Sequence, residues 1–226
     1  MLKKNVHAII LARGGSKGIK NKNLILVKKK PLIYWSIKSA LECKNIDKVW
    51  VSSDSDKILK LSKKFGANII KRPKVLSSDK SSSEDGWLHS LHYIKKKFKA
   101  DYAIALQATS PIRYKKDLAN AFNKFLIEKN DSLFSSSVNG VFFRWKVLGK
   151  KLVPNYNLNT PRPRRQLISQ ELVENGSFYI FSCKKFFKHK KRLFGKIGTY
   201  TQKKECGFEI DDLDDLRIVN SVLDKI

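Results

Sequence analysis

The 226-residue chain has few cysteines and no long apolar run, and both shortages exclude classes of protein. Its cysteines, Cys43, Cys183 and Cys206, are odd in number and far apart, which is typical neither of a disulfide framework nor of a zinc site. No segment reaches the roughly 18 apolar residues of a membrane span, and the short run at 6–12 is no secretory signal. We therefore expect reduced thiols, a cytoplasmic location and no membrane association.

Acidic residues are also scarce, with 20 Asp and Glu against 47 Lys and Arg and a formal net charge of +27. Such an excess is typical of nucleic-acid-binding proteins, which gain affinity by releasing counterions from phosphates. Here, however, the lysines are spread from end to end instead of forming one stripe. We expect a solvated, lysine-rich surface that favours anionic small substrates, and no nucleic-acid partner; a basic nucleic-acid-binding protein is the alternative from another class.

Short apolar runs alternate with segments of helical periodicity, the pattern of an α/β fold with crossover helices. The pattern predicts strands at 6–12, 48–52, 67–70 and 102–106, each followed by a helix, in one domain over 1–226. Ser81 and Glu84 predict a capping box that starts the third helix. From 132 to 180 the period becomes irregular and glycines and prolines intervene, so we predict an excursion from the sheet that ends in a strand at 177–181.

A basic, glycine-rich loop follows the first predicted strand, at the carboxyl edge of the sheet, where α/β proteins bind ligands. Its glycines allow backbone amides to turn toward an anion, and Arg13 and Lys17 add charge. The loop matches neither the Walker nor the dinucleotide fingerprint. We predict that it binds a triphosphate that Lys22 also reaches; a flexible basic turn is the alternative. The loop residues are Arg13, Gly14, Gly15, Ser16, Lys17 and Gly18.

Two carboxylates near the end of the sequence, Glu209 and Asp211, flank Ile210. On a strand, alternate residues share a face, so we predict that both point to the same side. Such a pair suits Mg²⁺, which commonly takes one or two carboxylates together with substrate phosphates. The acids that follow, at 212, 214 and 215, are interpreted as first-turn charges of a final helix over 212–223.

Arginines are concentrated at 162–165, in a chain in which lysine dominates. Guanidinium groups bind carboxylates and phosphates through two parallel hydrogen bonds, so the cluster Arg162, Arg164 and Arg165 is a candidate anion site, with a surface turn as the alternative. Gln107 and Thr109 follow the strand predicted at 102–106 at the same sheet edge as the glycine-rich loop. They are candidates for ligand contact.

Taken together, these segments resemble the CMP-sialic acid synthetases, or acylneuraminate cytidylyltransferases. The similarity extends from about 6 to 216, is closest to the animal branch, and includes no counterpart of the phosphatase-like C-terminal domain of animal members. The motifs that carry it are the run at 8–19, Phe143-Arg144-Trp145, Arg162-Pro163-Arg164-Arg165-Gln166, and Glu174-Asn175-Gly176-Ser177-Phe178-Tyr179.

The resemblance implies a Rossmann-like nucleotidyltransferase fold, with a mostly parallel central sheet flanked by helices. It implies a homodimer in which a small β-rich inserted segment, 139–175, packs on the neighbouring copy. The implied reaction joins CTP to a sialic-acid-type sugar and releases pyrophosphate, with Mg²⁺ as cofactor. Legionaminic, pseudaminic, KDN-type or eight-carbon ulosonic acids are alternative sugars, and an inactive relative is a further alternative.

The resemblance also implies roles for individual residues. Lys20, Leu167 and Glu209 depart from the residues most frequent in the family, which bears on sugar preference and metal geometry. The implied nucleotide contacts are Arg13, Lys17, Lys22, Asn23, Arg72 and Ser83, in addition to the loop residues. The implied sugar contacts are Gln107, Thr109, Lys146, Arg165, Gln166 and Tyr179, the metal pair is Glu209 and Asp211, and the catalytic residues are Arg13, Lys22, Arg165 and Asp211.

Overall fold

A seven-stranded sheet with helices on both faces organises the chain in a computed structural model that describes residues 4–16, 18–140 and 143–224. The strands are β1 (Val6–Leu11), β2 (Leu26–Val27), β3 (Lys30–Pro31), β4 (Lys48–Ser53), β5 (Asn68–Lys71), β6 (Tyr102–Gln107), β7 (Ser132–Val138), β8 (Trp145–Leu148), β9 (Lys151–Pro154), β10 (Leu172–Ser182) and β11 (Ile197–Thr201). The helices are α1 (Leu32–Leu41), α2 (Asp56–Lys64), α3 (Ser83–Lys95), α4 (Asp117–Ile127), α5 (Cys183–His189) and α6 (Leu213–Leu223).

The strand order is β11-β7-β10-β6-β1-β4-β5. The strands β6, β1, β4 and β5 are parallel, whereas β10 runs antiparallel to both of its neighbours and β11 is parallel to β7. This architecture confirms the predicted α/β fold with a mostly parallel sheet. Because the chain leaves β1 toward β4 while β6 lies on the other side, the loops after β1 and β6 separate and leave a crevice between them.

Alternate residues of the central strand pack on opposite faces of the sheet, as the period of a strand requires. Ala8 and Ile10 lie in the cluster under α1, α2 and α4, and Ile9 lies in the cluster under α3 and α5. The apolar side chains of α1, α2, α3 and α4 that face the sheet are buried, whereas Leu41 at the end of α1 is exposed. The three cysteines are buried and free, as expected.

The start of α3 differs from the prediction by one residue. Ser82 is the N-cap, and its hydroxyl accepts the backbone N–H of Asp85 at 3.0 Å. The predicted box is wrong because both of its members have other partners: the Ser81 hydroxyl donates to the carbonyl of Val75 at 2.6 Å, and the Glu84 carboxylate pairs with Arg192. At α6 the predicted acidic first turn is confirmed, since Asp212 caps the helix.

The excursion predicted over 132–180 is too long. Strand β7 and the first residues of β10 belong to the central sheet, so the excursion is confined to the segment between them, which carries the antiparallel β8–β9 hairpin. The sequence of β7 has an irregular apolar pattern because it is rich in serines, whose hydroxyls form hydrogen bonds with buried backbone groups. The Ser135 hydroxyl, for example, accepts from the Phe178 N–H at 2.9 Å. Helix α5 and strand β11 were not predicted. The segment 139–175 therefore includes the start of β10, and its role in dimerisation stays a prediction.

No helix in the described ranges, 4–16, 18–140 and 143–224, has both the length and the apolar character needed to span a bilayer.

Candidate functional site

A cavity of about 550 Å³ opens at the carboxyl ends of β1 and β6, in the crevice that the strand order creates. We call it the first cavity. It gathers residues that are far apart in the sequence, from the β1 loop, the start of α3, the end of β6 and the segment before α6. Among the predicted site residues, its lining includes Arg13, Ser16, Lys22, Asn23, Arg72, Ser83, Gln107, Thr109 and Asp211.

The glycine-rich loop after β1 is held by two side chains from neighbouring segments. The Asn23 amide donates to the carbonyl of Arg13 at 3.0 Å, and the carboxylate of Asp54 accepts the N–H of Gly14 at 2.9 Å. A Cβ at residue 14 would lie 2.9 Å from the Cβ of Ser55, so the close approach requires glycine. Lys17 lies outside the described residues.

The same loop contacts the carboxylate motif near the end of the sequence. A Cβ at Gly18 would collide with the backbone oxygen of Asp211, and the ammonium of Lys22 lies 2.6 Å from the Asp211 carboxylate. Lys22 and Asp211 are 189 residues apart in the sequence. The fold therefore unites the two motifs that the sequence assigned to phosphate and to metal.

The prediction that Glu209 and Asp211 share one face of a strand is wrong. The segment is irregular, because it joins a 3-10 turn at Lys204–Gly207 to the capping box of α6 and is anchored by the Ile210 N–H, which donates to the carbonyl of Thr109 at 2.9 Å. As a result Asp211 lines the first cavity, whereas Glu209 lines a neighbouring one.

Glu209 is half-buried beside the point where the two cavities meet. Burial raises the pKa of its carboxyl group, the hydrogen bond from Ser110 at 3.3 Å opposes that shift, and the nearby charge of Asp211 adds to it. Gly176 has a φ of 68°, and a Cβ there would collide with Glu209 and lie 3.3 Å from Gln107 Nε2. Glycine is thus required for Glu209 and Gln107 to converge.

The fit of Mg²⁺ depends on these two carboxylates. No cluster of three or more His, Cys, Asp or Glu side chains suited to a metal occurs in the described part of the chain. Burial raises the pKa of Glu209 and the charge of Asp211 adds to that shift, so a cation bound nearby would stabilise the ionised form of this carboxyl group. Two carboxylates fit Mg²⁺ when substrate phosphates and water complete the shell.

The opposite wall of the first cavity supplies positive charge. Arg72 is buried and its Nε donates to the Ser77 hydroxyl at 2.9 Å; burial lowers the pKa of its guanidinium, which the charge of Asp54 opposes. Arg13 pairs with Asp79 at 2.7 Å. Ser83, in the first turn of α3, also lines this wall, so the positive end of the helix dipole faces the cavity.

The second cavity, of about 450 Å³, lies beside the first, between β7, β10 and the segment before α6. Tyr179, predicted to contact the sugar, lines it together with Glu174 and Glu209. Asn175 holds its edge, since its amide donates to the Ser137 hydroxyl at 3.0 Å and to Gln202 at 3.2 Å. Apart from Lys204, the described lining offers no cationic side chain.

Residues of the hairpin segment lie elsewhere. Lys146 on β8 and Gln166 in a short 3-10 turn are exposed, and neither lines the first or the second cavity. The backbone of Arg165 belongs to that 3-10 turn, while its side chain lies outside the described part of the structure. The predicted sugar contacts of these three residues stay predictions.

Two arginines that contact elements of the site were missed in the sequence. Arg113 donates to the carbonyls of Gln107 at 2.7 Å and of Ser177 at 2.6 Å, so it fastens the end of β6 to β10, and burial lowers its pKa to about 10. Its place just after the strand end could have drawn attention, because arginine is scarce in this chain. Arg192 contacts Glu84 and Tyr179, but it follows several lysines in the sequence, so nothing in the sequence distinguishes it from a surface cation.

Comparisons with known proteins agree with this geometry. Residues 7–222 match the model of a family described as cytidylyltransferase. The chain is 38% identical over 216 residues to N-acylneuraminate cytidylyltransferase A of Danio rerio, covering 93% of this chain and 49% of that protein. It is 32% identical over 223 residues to post-translational flagellin modification protein B of Campylobacter coli, covering 95% and 93% of the two chains.

Among solved structures, the fold is similar to that of CMP:2-keto-3-deoxy-manno-octonic acid synthetase complexed with CTP. The TM-score is 0.75 at 18% identity, over 98% of this chain and 99% of that one. At this identity the likeness concerns the fold alone. The chain spans about half the length of the Danio rerio relative, and nearly all of the Campylobacter coli relative.

Proposed function

Since the chain belongs to the cytidylyltransferase family, we propose that it joins CTP to a sialic-acid-type sugar, forming a CMP-sugar and pyrophosphate. The observation that carries the proposal is the contact of the glycine-rich loop with the segment 209–211. That contact places the cations Arg13 and Lys22 and the carboxylate Asp211 around one cavity. The names of the N-acylneuraminate relatives support the choice of nucleotide and sugar.

The first cavity is the proposed CTP site. Its cations are balanced by carboxylates in this structure, Arg13 by Asp79 and Lys22 by Asp211, and a triphosphate would offer both cations a stronger anionic partner. Arg72 and the α3 N-terminus add positive charge from the other wall. Asn23 Oδ1 is buried without a hydrogen-bond partner among the described residues, so it is available to accept from a nucleotide donor.

In the proposed reaction the anomeric hydroxyl of the sugar attacks the α-phosphorus of CTP in line with the leaving pyrophosphate. The residues act chiefly by positioning and by neutralising charge, as is general for phosphate transfer. Arg13 and Lys22 bind the departing pyrophosphate. Asp211 and Glu209 are the residues that would hold Mg²⁺, which supplies positive charge to the phosphate oxygens when bound.

The second cavity is the proposed sugar site, because Tyr179 lines it and because Gly176 brings it against Gln107 of the first cavity. An acidic sugar needs a cation, yet this cavity is lined by Glu174 and Glu209 and only one lysine among the described residues. Arg165 is the guanidinium proposed to bind the sugar carboxylate, with Lys146, Gln166 and Thr109 as further contacts.

We propose that a second copy of the chain supplies the hairpin contacts. The β8–β9 hairpin exposes a contiguous apolar pair, Val147 opposite Leu152, with 72% and 63% of their surface accessible. Apolar surface of this kind marks an interaction site. A homodimer that covers it would bring the segment 139–175 to the neighbouring sugar site. The free cysteines fit the cytoplasm as its location.

A second candidate is the same reaction with pseudaminic acid or another ulosonic acid. It is favoured by the similarity to a Helicobacter pylori protein named as a pseudaminic acid cytidylyltransferase and hydrolase, 36% identical over 132 residues. A panel of nine-carbon and eight-carbon acids, assayed side by side, separates the two candidates.

The test is pyrophosphate release from CTP in the presence of Mg²⁺ and N-acetylneuraminate. We expect release that requires all three components, and a loss of about a hundredfold or more in Asp211→Asn, because a group that neutralises transition-state charge is removed. Asp214→Asn is the matched control, since this exposed acid pairs only with Arg217 in the described structure. No release with any acid of the panel would refute the proposed function.

A further inference from the structure

We propose that Arg192 is a positioning residue that couples the nucleotide cavity to the sugar cavity, a role that rests on the proposed function. Arg192 lies in the loop between α5 and β11, outside the lining of both cavities as the structure describes them. Its guanidinium nevertheless bonds to one residue beside each cavity, Glu84 and Tyr179. It is about one third exposed.

On the nucleotide side, Arg192 holds the first turn of α3. Its Nε and Nη2 donate to the two carboxylate oxygens of Glu84 at 2.7 and 3.3 Å, a paired geometry that fixes the orientation of both groups. Burial raises the pKa of Glu84, but the hydrogen bonds and charge of Arg192 and a backbone hydrogen bond together outweigh it, so the net pKa is lowered and the pair stays charged. Glu84 directly follows Ser83, which lines the first cavity.

On the sugar side, Arg192 fixes the hydroxyl of Tyr179. That oxygen accepts from Arg192 Nη1 at 3.3 Å, and its hydrogen is donated to Glu174 at 2.5 Å. The tyrosine therefore has a partner for its donor and one for its acceptor, and both partners restrict its position. Burial, followed by the bond to Glu174, raises the pKa of Tyr179 to about 12, so the hydroxyl stays protonated.

An aromatic pair lies between the two bonds. The guanidinium carbon of Arg192 lies 5.2 Å from the ring centre of Tyr179 and 5.7 Å from that of Trp87, and the two ring centres are 5.7 Å apart. Trp87 lines the first cavity and Tyr179 lines the second. These packed groups connect the α3 turn to a wall of the sugar site, so a displacement of that turn would be transmitted through them.

The arrangement also sets the charge beside the nucleotide. Without Arg192, the Glu84 carboxylate would be uncompensated near the start of α3, where it would repel a triphosphate. Loss of Arg192 therefore has two separable effects. One is electrostatic and acts on CTP through Glu84, and the other is positional and acts on the sugar through Tyr179.

Steady-state kinetics of Arg192→Gln separate these effects. We expect the KM of the sugar to rise about tenfold, the usual scale for losing a charged hydrogen bond, with a smaller change in kcat. The KM of CTP should also rise in Arg192→Gln, because the uncompensated Glu84 carboxylate repels the triphosphate. The double variant Arg192→Gln with Glu84→Gln should restore the KM of CTP but not the KM of the sugar. In a Tyr179→Phe background, Arg192→Gln should add little to the KM of the sugar. Arg217→Gln, which breaks an exposed pair on α6, is the matched control.

A readout without substrates separates this inference from the proposed function. Amide hydrogen exchange of Arg192→Gln should accelerate both in the first turn of α3 and in 174–179, with protection unchanged in α2. Faster exchange in neither segment, or in only one of them, would overturn the coupling even if the wild type forms a CMP-sugar. Absence of turnover in the wild type would refute the proposed function. The hydrogen-exchange result would then still test whether Arg192 holds both the α3 turn and Tyr179. Unchanged KM values for both substrates in an active, folded Arg192→Gln would also overturn the inference.

Discussion

The two halves of the sheet are built differently, and each borders one cavity. In the parallel half, β6-β1-β4-β5, apolar strands are covered by helices on both faces, and the first cavity gathers its cations and Asp211 from within one chain. In the other half, β10-β7-β11, a serine-rich strand and a register shift between Glu174 and Tyr179 accompany a hairpin with exposed apolar side chains. One half gathers cationic side chains around a cavity, and the other leaves apolar side chains exposed.

The two cavities also differ in the charges of the side chains that line them. In the first, Arg13 and Lys22 each have a carboxylate partner, and Arg72 adds a further positive charge to the lining. In the second, two glutamates and Tyr179 adjoin only Lys204 within the described lining. A cavity of this charge needs added cations to bind an acidic sugar. The contrast supports the proposal that one chain is sufficient to bind the nucleotide, whereas a second copy is needed to complete the sugar site.

The largest expected effect comes from placing charge on the hairpin. Val147→Asp with Leu152→Asp should convert the proposed dimer to a monomer and lower sugar-dependent pyrophosphate release about a hundredfold, because buried interface cores do not tolerate unpaired charge. CTP binding should be unchanged. Sedimentation and calorimetry give the two readouts, and Ile127→Asp, at an exposed end of α4, is the control. If the wild type sediments as a monomer, the proposed dimer is refuted, and with it the proposal that a second copy completes the sugar site.

A smaller effect is expected inside the first cavity. Lys22→Gln should weaken CTP binding about tenfold, since it removes one charged contact to phosphate and leaves Asp211 without its ion pair. Lys20→Gln, an exposed lysine near the same loop, should bind CTP like the wild type. Equal losses in the two variants would mean that the general field of the lysine-rich surface, and not the cavity, binds the nucleotide.

The smallest effect is on stability and depends on pH. Because the folded-state pKa of Glu209 is raised, its protonated form favours folding below the unfolded pKa, and that contribution is lost as the pH rises through the folded pKa. Glu209→Gln should therefore raise the midpoint of thermal unfolding at about pH 7 and leave it unchanged at about pH 4. Lys57→Gln, at an exposed position of α2, provides a neutral comparison. If Glu209→Gln is less stable than the wild type at neutral pH, the ionised carboxyl group of Glu209 does not destabilise the fold.

The contrast between the two halves of the sheet also explains which features could be predicted from the sequence. Strands β1, β4, β5 and β6 were predicted because apolar runs are local signals. Arg13, Gln107 and Thr109 were predicted from their places at strand ends, whereas Arg72 and Ser83 were implied only by the resemblance to the CMP-sialic acid synthetases. The face shared by Glu209 and Asp211 was mispredicted, since a turn that depends on the α6 cap and on Thr109 is set by tertiary contacts. Arg113 and Arg192 were missed for the same reason, because their partners are distant in sequence.

The contact between Gly18 and Asp211 also has a consequence for biosynthesis. The loop is translated before its counterpart, and most of the sheet lies between them, since Lys22 and Asp211 are separated by 189 residues. Until then, Lys22 has no carboxylate to bind and the loop lacks the backbone surface on which it rests. A nascent chain can therefore form this contact only after the strands that lie between the two segments have been translated, so the sheet can be assembled before the contact.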